Sequence, residues 1–167
     1  MHDGIPGLHI PAGDGEAWWF LATRMTVLVD TSRSGGSLTL ALQESPAGFG
    51  PPRHVHEAED EAFFVLDGGM HIVCGDQAWD AGPGSFTWLP RGLPHAFLVT
   101  SAGRMLQLTT PAGFESLISE VGTTAAGPGL PPPSIPDIPR LAAAAARHGS
   151  AIVGPPLDPA DFGLPLQ

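Results

Sequence analysis

The sequence predicts an all-β protein, built as a β-sandwich or barrel and followed by two short helices. Between residues 17 and 110, short apolar or alternating runs recur at the spacing of about 8–12 residues that is typical of such folds. Dipeptides that begin with glycine separate several of these runs, at positions where hairpin turns require positive φ. They are Gly35-Gly36, Gly68-Gly69 and Gly75-Asp76. A chain of 167 residues suits one such domain.

Ten runs are expected to form the strands of the barrel over residues 17–110, after an N-terminal tail at 1–16. In chain order their sequences are WWFLAT, RMTVLVD, SLTLALQ, RHVHE, EAFFVLD, MHIVCG, QAWDA, SFTWLP, HAFLVT and RMLQLTT. Their alternation of apolar and polar residues is the period of a strand with one buried face. No long helical period interrupts them.

Two helices and a proline-rich linker are predicted for residues 111–167. Apolar residues recur at i, i+3, i+4 and i+7 from Phe114 to Val121, and Gly122 follows as a stop signal. A second, alanine-rich helix is predicted at about 139–148, with a proline at its start and a glycine after its end. Helices this short are marginal alone, so we expect them to pack on the barrel.

Composition excludes several classes of function. The net charge is −10 and the seven basic residues are all arginines, which leaves no basic patch for nucleic acid or an anionic membrane. Without lysine, neither Schiff-base chemistry nor a P-loop is available. Cys74 is the single cysteine, so it has no partner for an intrachain disulfide. The N-terminus lacks the pattern of a signal peptide, and we expect a cytoplasmic protein.

Four residues form a candidate metal site. Alternate residues of a strand share a face, so His54 and His56 point the same way. Glu61 lies at the start of the next apolar run, and His95 begins a later one. Three imidazoles and one carboxylate suit a first-row divalent metal with positions left open, and favour Mn, Fe, Co or Ni over Zn. Asp60 is a rival to Glu61 as the acidic ligand.

The spacing of these residues resembles the two motifs of the cupin superfamily. The first motif is matched by Gly48-x5-His54-x-His56-x4-Glu61-x6-Gly68, and the second by Gly84-x5-Pro90-x-Gly92-x2-His95. The second departs from the family at its last place, where Val99 stands instead of the usual asparagine. That asparagine is not a ligand.

The resemblance implies a double-stranded β-helix, the cupin or jelly-roll barrel, with a metal held by His54, His56, Glu61 and His95. Its spacing to Gly68 favours Glu61 over Asp60 as the acidic ligand. Asp60 and its neighbours Glu57 and Glu59 are then expected in a solvated turn. Cupins are often dimers, so the resemblance also implies a homodimer.

Four stretches, PPRHVHEAEDEAFFVLDGG, WLPRGLPHAF, PAGFE and HGSAIVGPP, resemble single-domain cupins similar to quercetin 2,3-dioxygenase. This implies one divalent transition metal per chain (Ni, Co, Mn or Fe, with Zn less favoured) and a small aromatic substrate, a flavonol or a similar enol, opened with O2. Glu61 would be both ligand and proton acceptor. The alternatives are a metal-dependent cyclase or isomerase and a non-enzymatic small-molecule-binding cupin. An apolar substrate-binding lining is expected from Phe63, Val65, Trp88, Phe97 and Met105.

Overall fold

The computed structural model describes residues 5–164, so four residues of the predicted tail and the last three of the chain lie outside it. Within these residues, ten antiparallel strands form one sheet. The strands are β1 (Glu16–Phe20), β2 (Thr23–Val29), β3 (Thr39–Ser45), β4 (His54–His56), β5 (Asp60–Cys74), β6 (Gln77–Ala81), β7 (Phe86–Leu89), β8 (His95–Thr110), β9 (Thr123–Thr124) and β10 (Ser150–Ile152). The predicted all-β fold is confirmed.

Two long strands hold the sheet together. Strand β5 pairs with β6, β7 and β8, and β8 pairs in turn with β3, β4 and β5. On the other side of the sheet β3 continues through β2 to β1 and β9, and β10 extends β4. Because β4, β5 and β8 are neighbours, residues far apart in the chain meet at one end of the barrel.

The predicted hairpin at Gly68-Gly69 is wrong. Strand β5 runs through both glycines, and its register against β8 shifts between Val65 and Met70. A Cβ on Gly68 would lie 2.6 Å from the carbonyl oxygen of Ser101, so the glycine permits a close backbone approach inside a bulge. The two runs predicted as HAFLVT and RMLQLTT likewise form one strand, β8.

Other turns follow the sequence more closely. Gly75 and Asp76 form a two-residue hairpin loop, since Cys74 pairs with Gln77. Gly35 and Gly36 both have positive φ, but they follow a one-turn helix, α1 (Thr31–Ser34), that was not predicted. The run WWFLAT is not one strand, because the chain turns at residues 21–22 between β1 and β2.

The two predicted helices pack against the barrel. They are α2 (Phe114–Val121) and α3 (Ile138–Arg147). Ile118 of α2 is fully buried in a cluster with Met25 and Ala41, and burial of such a side chain is worth about 1.5–3 kcal/mol. Ala144 of α3 joins the same cluster. A separate cluster, which includes Phe63, fills the barrel.

No helix within residues 5–164 is both long and apolar enough to cross a membrane. The homodimer and the cytoplasmic location stay predictions.

Candidate metal centre

Three strands bring the predicted metal ligands together. His54 and His56 are the ends of the short strand β4, Glu61 stands near the start of β5, and His95 opens β8 directly opposite His54. One donor atom from each of the four side chains lies within 4.8 Å of the other three. His56, Glu61 and His95 are buried, whereas His54 is half-buried.

The Nδ1 atoms of two imidazoles contact the backbone just before them. His54 Nδ1 lies 2.8 Å from the carbonyl oxygen of Pro52, and His95 Nδ1 lies 3.0 Å from that of Leu93. An Nδ1–H that donates to such an oxygen fixes the tautomer and leaves Nε2 as the lone-pair donor. Both rings are therefore arranged to offer Nε2 to a metal.

The Nε2 atoms of the two buried imidazoles converge on Glu61. Glu61 Oε2 lies 3.1 Å from His95 Nε2 and 3.8 Å from His56 Nε2. His56 Nε2 is buried and has no hydrogen-bond partner among the described residues. A buried nitrogen without a partner is costly unless something else satisfies it. The donor set therefore fits a divalent metal, with Nε2 of His56 as one ligand.

Of the two competing acids, only Glu61 lies among the imidazoles. Asp60 instead turns to Arg91, whose guanidinium Nη2 is 2.7 Å from Asp60 Oδ2 and whose backbone N–H donates to Asp60 Oδ1 at 2.8 Å. The hydrogen bonds from Arg91 hold the pKa of Asp60 below its usual value. The opposite directions of these neighbouring side chains follow from strand alternation.

The electrostatics of the site favour an ionised Glu61 and a neutral His54, whereas the carboxylates of Glu59 and Glu61 outweigh burial and raise the pKa of His56. Burial and, second to it, the nearby His95 lower the pKa of His54 to about 4. Burial alone would raise the pKa of Glu61, but its contact with His95 and the neighbouring imidazoles outweigh this effect and lower that pKa to about 2. At neutral pH Glu61 is thus ionised and His54 is neutral, as in a metal-bound site.

Three residues around the site were missed in the sequence. Gln107 of β8 donates from its side-chain amide to Glu61 Oε1. Ser150 places its Oγ 3.0 Å from His56 Nδ1. Glu59 was expected in a solvated turn, but it is only 7% exposed and its Oε1 lies 3.8 Å from His56 Nδ1. A signal for Gln107 was available in the alternation of RMLQLTT, whereas Ser150 had none.

Comparison with known proteins relates this barrel to a family. Residues 41–110 match the model of the cupin domain, a span that contains all four candidate ligands. The barrel is thus cupin-like over these residues. Quercetin 2,3-dioxygenase from Bacillus subtilis is 26% identical over 112 residues, which cover 66% of this chain. The chain spans about a third of the length of that relative.

Solved structures support the same fold. The polyketide cyclase RemF from Streptomyces resistomycificus is 25% identical, with a TM-score of 0.54 over 63% of this chain and 80% of that one. An RmlC-like cupin from Shewanella frigidimarina has a TM-score of 0.56 at 14% identity, over 66% of this chain and 96% of that one. The second likeness concerns the fold alone.

Beside the candidate metal centre, the barrel and α2 form a small apolar cavity of about 40 Å³. Phe97, one of the residues expected to line a substrate pocket, lines this cavity together with Phe49 and Phe114. Gln107 also lines the cavity and connects it to Glu61. Such a cavity holds one or two water molecules, since ligand pockets usually measure about 300–1,000 Å³.

The other predicted lining residues lie elsewhere. Phe63, Val65 and Met105 are buried in the barrel core and are not part of the cavity wall. Trp88, which was expected in the same substrate-binding lining, is not part of the cavity wall either. Leu89 points inward from β7, so its neighbour Trp88 points outward and is 44% exposed, in a surface groove beside Trp79.

Proposed function

We propose that this cupin-like barrel is a transition-metal-dependent dioxygenase that opens an enol-containing aromatic substrate, such as a flavonol, with O2. The observation that carries the proposal is the cluster of three imidazoles and an ionised, buried carboxylate beside an aromatic-lined cavity. The partial likeness to quercetin 2,3-dioxygenase supports the reaction type. The donor set favours Ni, Co, Mn or Fe over Zn.

Each residue of the site has a defined part in this proposal. His54, His56, Glu61 and His95 would hold the metal, and the cation, when bound, would lower the pKa of a hydroxyl that it ligates. Glu61 would accept the proton of the substrate hydroxyl, because its carboxylate is ionised. Gln107 holds the other carboxylate oxygen, Oε1, so that Oε2 faces the imidazoles. The cavity's aromatic walls would exclude water.

A flavonol is larger than this cavity, so the proposal requires a larger space. Phe49 lines both this cavity and a surface pocket of about 260 Å³. The surface pocket is walled by residues 48–50, by Pro52 and by Ile138 and Leu141 of α3. Phe49 therefore separates the two spaces, and its displacement would join them into one pocket of ligand size. We expect Phe49→Ala to accept bulkier substrates than the wild-type protein.

The test is reconstitution of metal-free protein with Mn, Fe, Co, Ni and Zn separately, followed by addition of a flavonol in air. The proposal predicts loss of flavonol absorbance, uptake of O2 and release of carbon monoxide with at least one metal. His54→Ala is the matched control and should be inactive with every metal. Absence of O2 uptake and carbon monoxide with all five metals would remove the dioxygenase proposal.

A metal-dependent cyclase is the second candidate, favoured by the likeness to the polyketide cyclase RemF. In that case the cation would act as a Lewis acid and no O2 would be consumed. Conversion of an enol-containing substrate under nitrogen, at the rate seen in air, would favour the cyclase. A binding protein would instead retain its ligand unchanged in either atmosphere.

A further inference from the structure

His56 differs from the other two imidazoles in what fixes its ring. The Nδ1 atoms of His54 and His95 contact backbone carbonyl oxygens of their own loops. His56 Nδ1 instead faces two side chains from different parts of the chain, Ser150 at 3.0 Å and Glu59 at 3.8 Å. His56 itself is 1% exposed, so its environment is set by the protein alone.

Glu59 is an unusual residue for a loop. It lies between β4 and β5 and is buried, and its Oε2 atom has no hydrogen-bond partner among the described residues. A buried carboxylate of this kind is strongly disfavoured without a compensating positive group. The nearest such group is the imidazole of His56. At 3.8 Å the contact is too long for a hydrogen bond, so Glu59 acts on the ring through its charge.

Ser150 reaches the site from the C-terminal part of the chain. Gly149, with a φ of +70°, turns the chain after α3, and its carbonyl accepts the backbone N–H of Glu57 at 2.8 Å. The chain then enters β10, where Ser150 pairs directly with His56. The hydroxyl is buried against the imidazole because the two residues are neighbours across the strands.

We propose that Glu59 and Ser150 are positioning residues that orient His56 for metal binding, so that the C-terminal segment completes the metal centre. This rests on the proposed function only in requiring a bound transition metal. When Nε2 of His56 is directed to the metal, Nδ1 carries the ring proton, and this N–H donates a hydrogen bond to Ser150 Oγ. The carboxylate of Glu59 makes Nε2 a stronger electron-pair donor to the metal. Outer groups of this kind typically change metal affinity by about 10–100-fold.

The test is equilibrium binding of Co²⁺, measured by competition with a chelator on metal-free protein. We expect Glu59→Gln to weaken binding by about 10–100-fold and Ser150→Ala by about tenfold, with a changed visible absorption spectrum of the bound Co²⁺ in both. Glu57→Gln is the matched control, because Glu57 is exposed in the same turn. It should bind Co²⁺ as the wild-type protein does.

Urea unfolding of the metal-free variants separates positioning from packing. Variants that are less stable but bind Co²⁺ with the wild-type affinity and spectrum would overturn the inference and leave both residues as packing groups. If Glu59→Gln does not fold, Ser150→Ala alone decides by the same comparison. If the wild-type protein binds no Co²⁺, this inference and the proposed function are both overturned. If the wild-type protein binds Co²⁺ and the variants bind it equally well, this inference alone is overturned.

Discussion

Metal binding should stabilise the folded protein by an amount that can be calculated. The four ligands come from three strands and span residues 54–95, so the folded chain gathers donors that the unfolded chain holds apart. A metal at about 100 times its dissociation constant then adds about 2.7 kcal/mol to the free energy of unfolding. For a chain of this size each kcal/mol raises Tm by about 2–4 °C, which gives a rise of about 5–11 °C.

The assay is thermal unfolding followed by circular dichroism, with metal-free protein before and after addition of Co²⁺ or Ni²⁺. Glu61→Gln and His95→Ala should lose most of the metal-dependent rise in Tm. Asp60→Asn is the matched control and should keep it, because the Asp60 carboxylate is bound to Arg91. The reasoning is refuted if saturating metal leaves the wild-type Tm unchanged, or if Asp60→Asn loses the rise while Glu61→Gln keeps it.

Three further predictions concern residues around the site. Phe114→Ala should lower the free energy of unfolding by about 3–5 kcal/mol in urea titrations, because this buried ring packs against Phe20 and His56. Glu115→Gln should cost about 1–2 kcal/mol, because Glu115 accepts hydrogen bonds from backbone and hydroxyl groups. Although burial alone would raise the pKa of Glu115, these hydrogen bonds lower it. The ionised carboxylate therefore contributes its full stabilisation above the unfolded pKa of about 4.3, and this stabilisation declines as the pH falls toward the folded pKa. Urea titrations across acidic pH should find that this part of the pH dependence is missing in Glu115→Gln. Arg91→Ala should change the urea midpoint little and leave Co²⁺ affinity unchanged, since the guanidinium is solvent-exposed and its ion pair lies outside the metal centre.

Each of these has its own contrary outcome. A loss below about 1 kcal/mol for Phe114→Ala would mean that α2 does not depend on this ring. An acid-stability profile of Glu115→Gln parallel to that of the wild type would show that another carboxylate titrates. Weaker metal binding in Arg91→Ala would mean that the Asp60 pair supports the metal centre.

The ligands could be predicted because the rules that place them are local. Strand alternation puts His54 and His56 on one face whatever the rest of the chain does. Helix α2 also begins and ends where its apolar period and Gly122 indicate. By contrast, Gly68 resembles a hairpin glycine in sequence, yet it lies against Gly103, where a Cβ would be 2.2 Å from the carbonyl oxygen of Asp67. Their role depends on the approach of β5 to β8, which no local pattern encodes.

The residues that contact the ligands, Ser150 and Glu59, could not be predicted, because their positions also depend on the packing of distant parts of the chain. Ser150 is 94 positions from His56, and their contact depends on the pairing of β10 with β4. Glu59 stands in an acidic run that is typical of an exposed turn, and only the folded structure shows its burial. Residue type and spacing thus predicted which side chains converge, but not what surrounds them.

The most direct test of the metal centre is the metal content of the protein after reconstitution, measured by elemental analysis on wild type and on the double variant His54→Ala/His56→Ala. Four ligands around one point predict about one transition-metal ion per wild-type chain and close to none in the variant. A wild-type protein without stoichiometric metal, or a variant that retains it, would contradict the account.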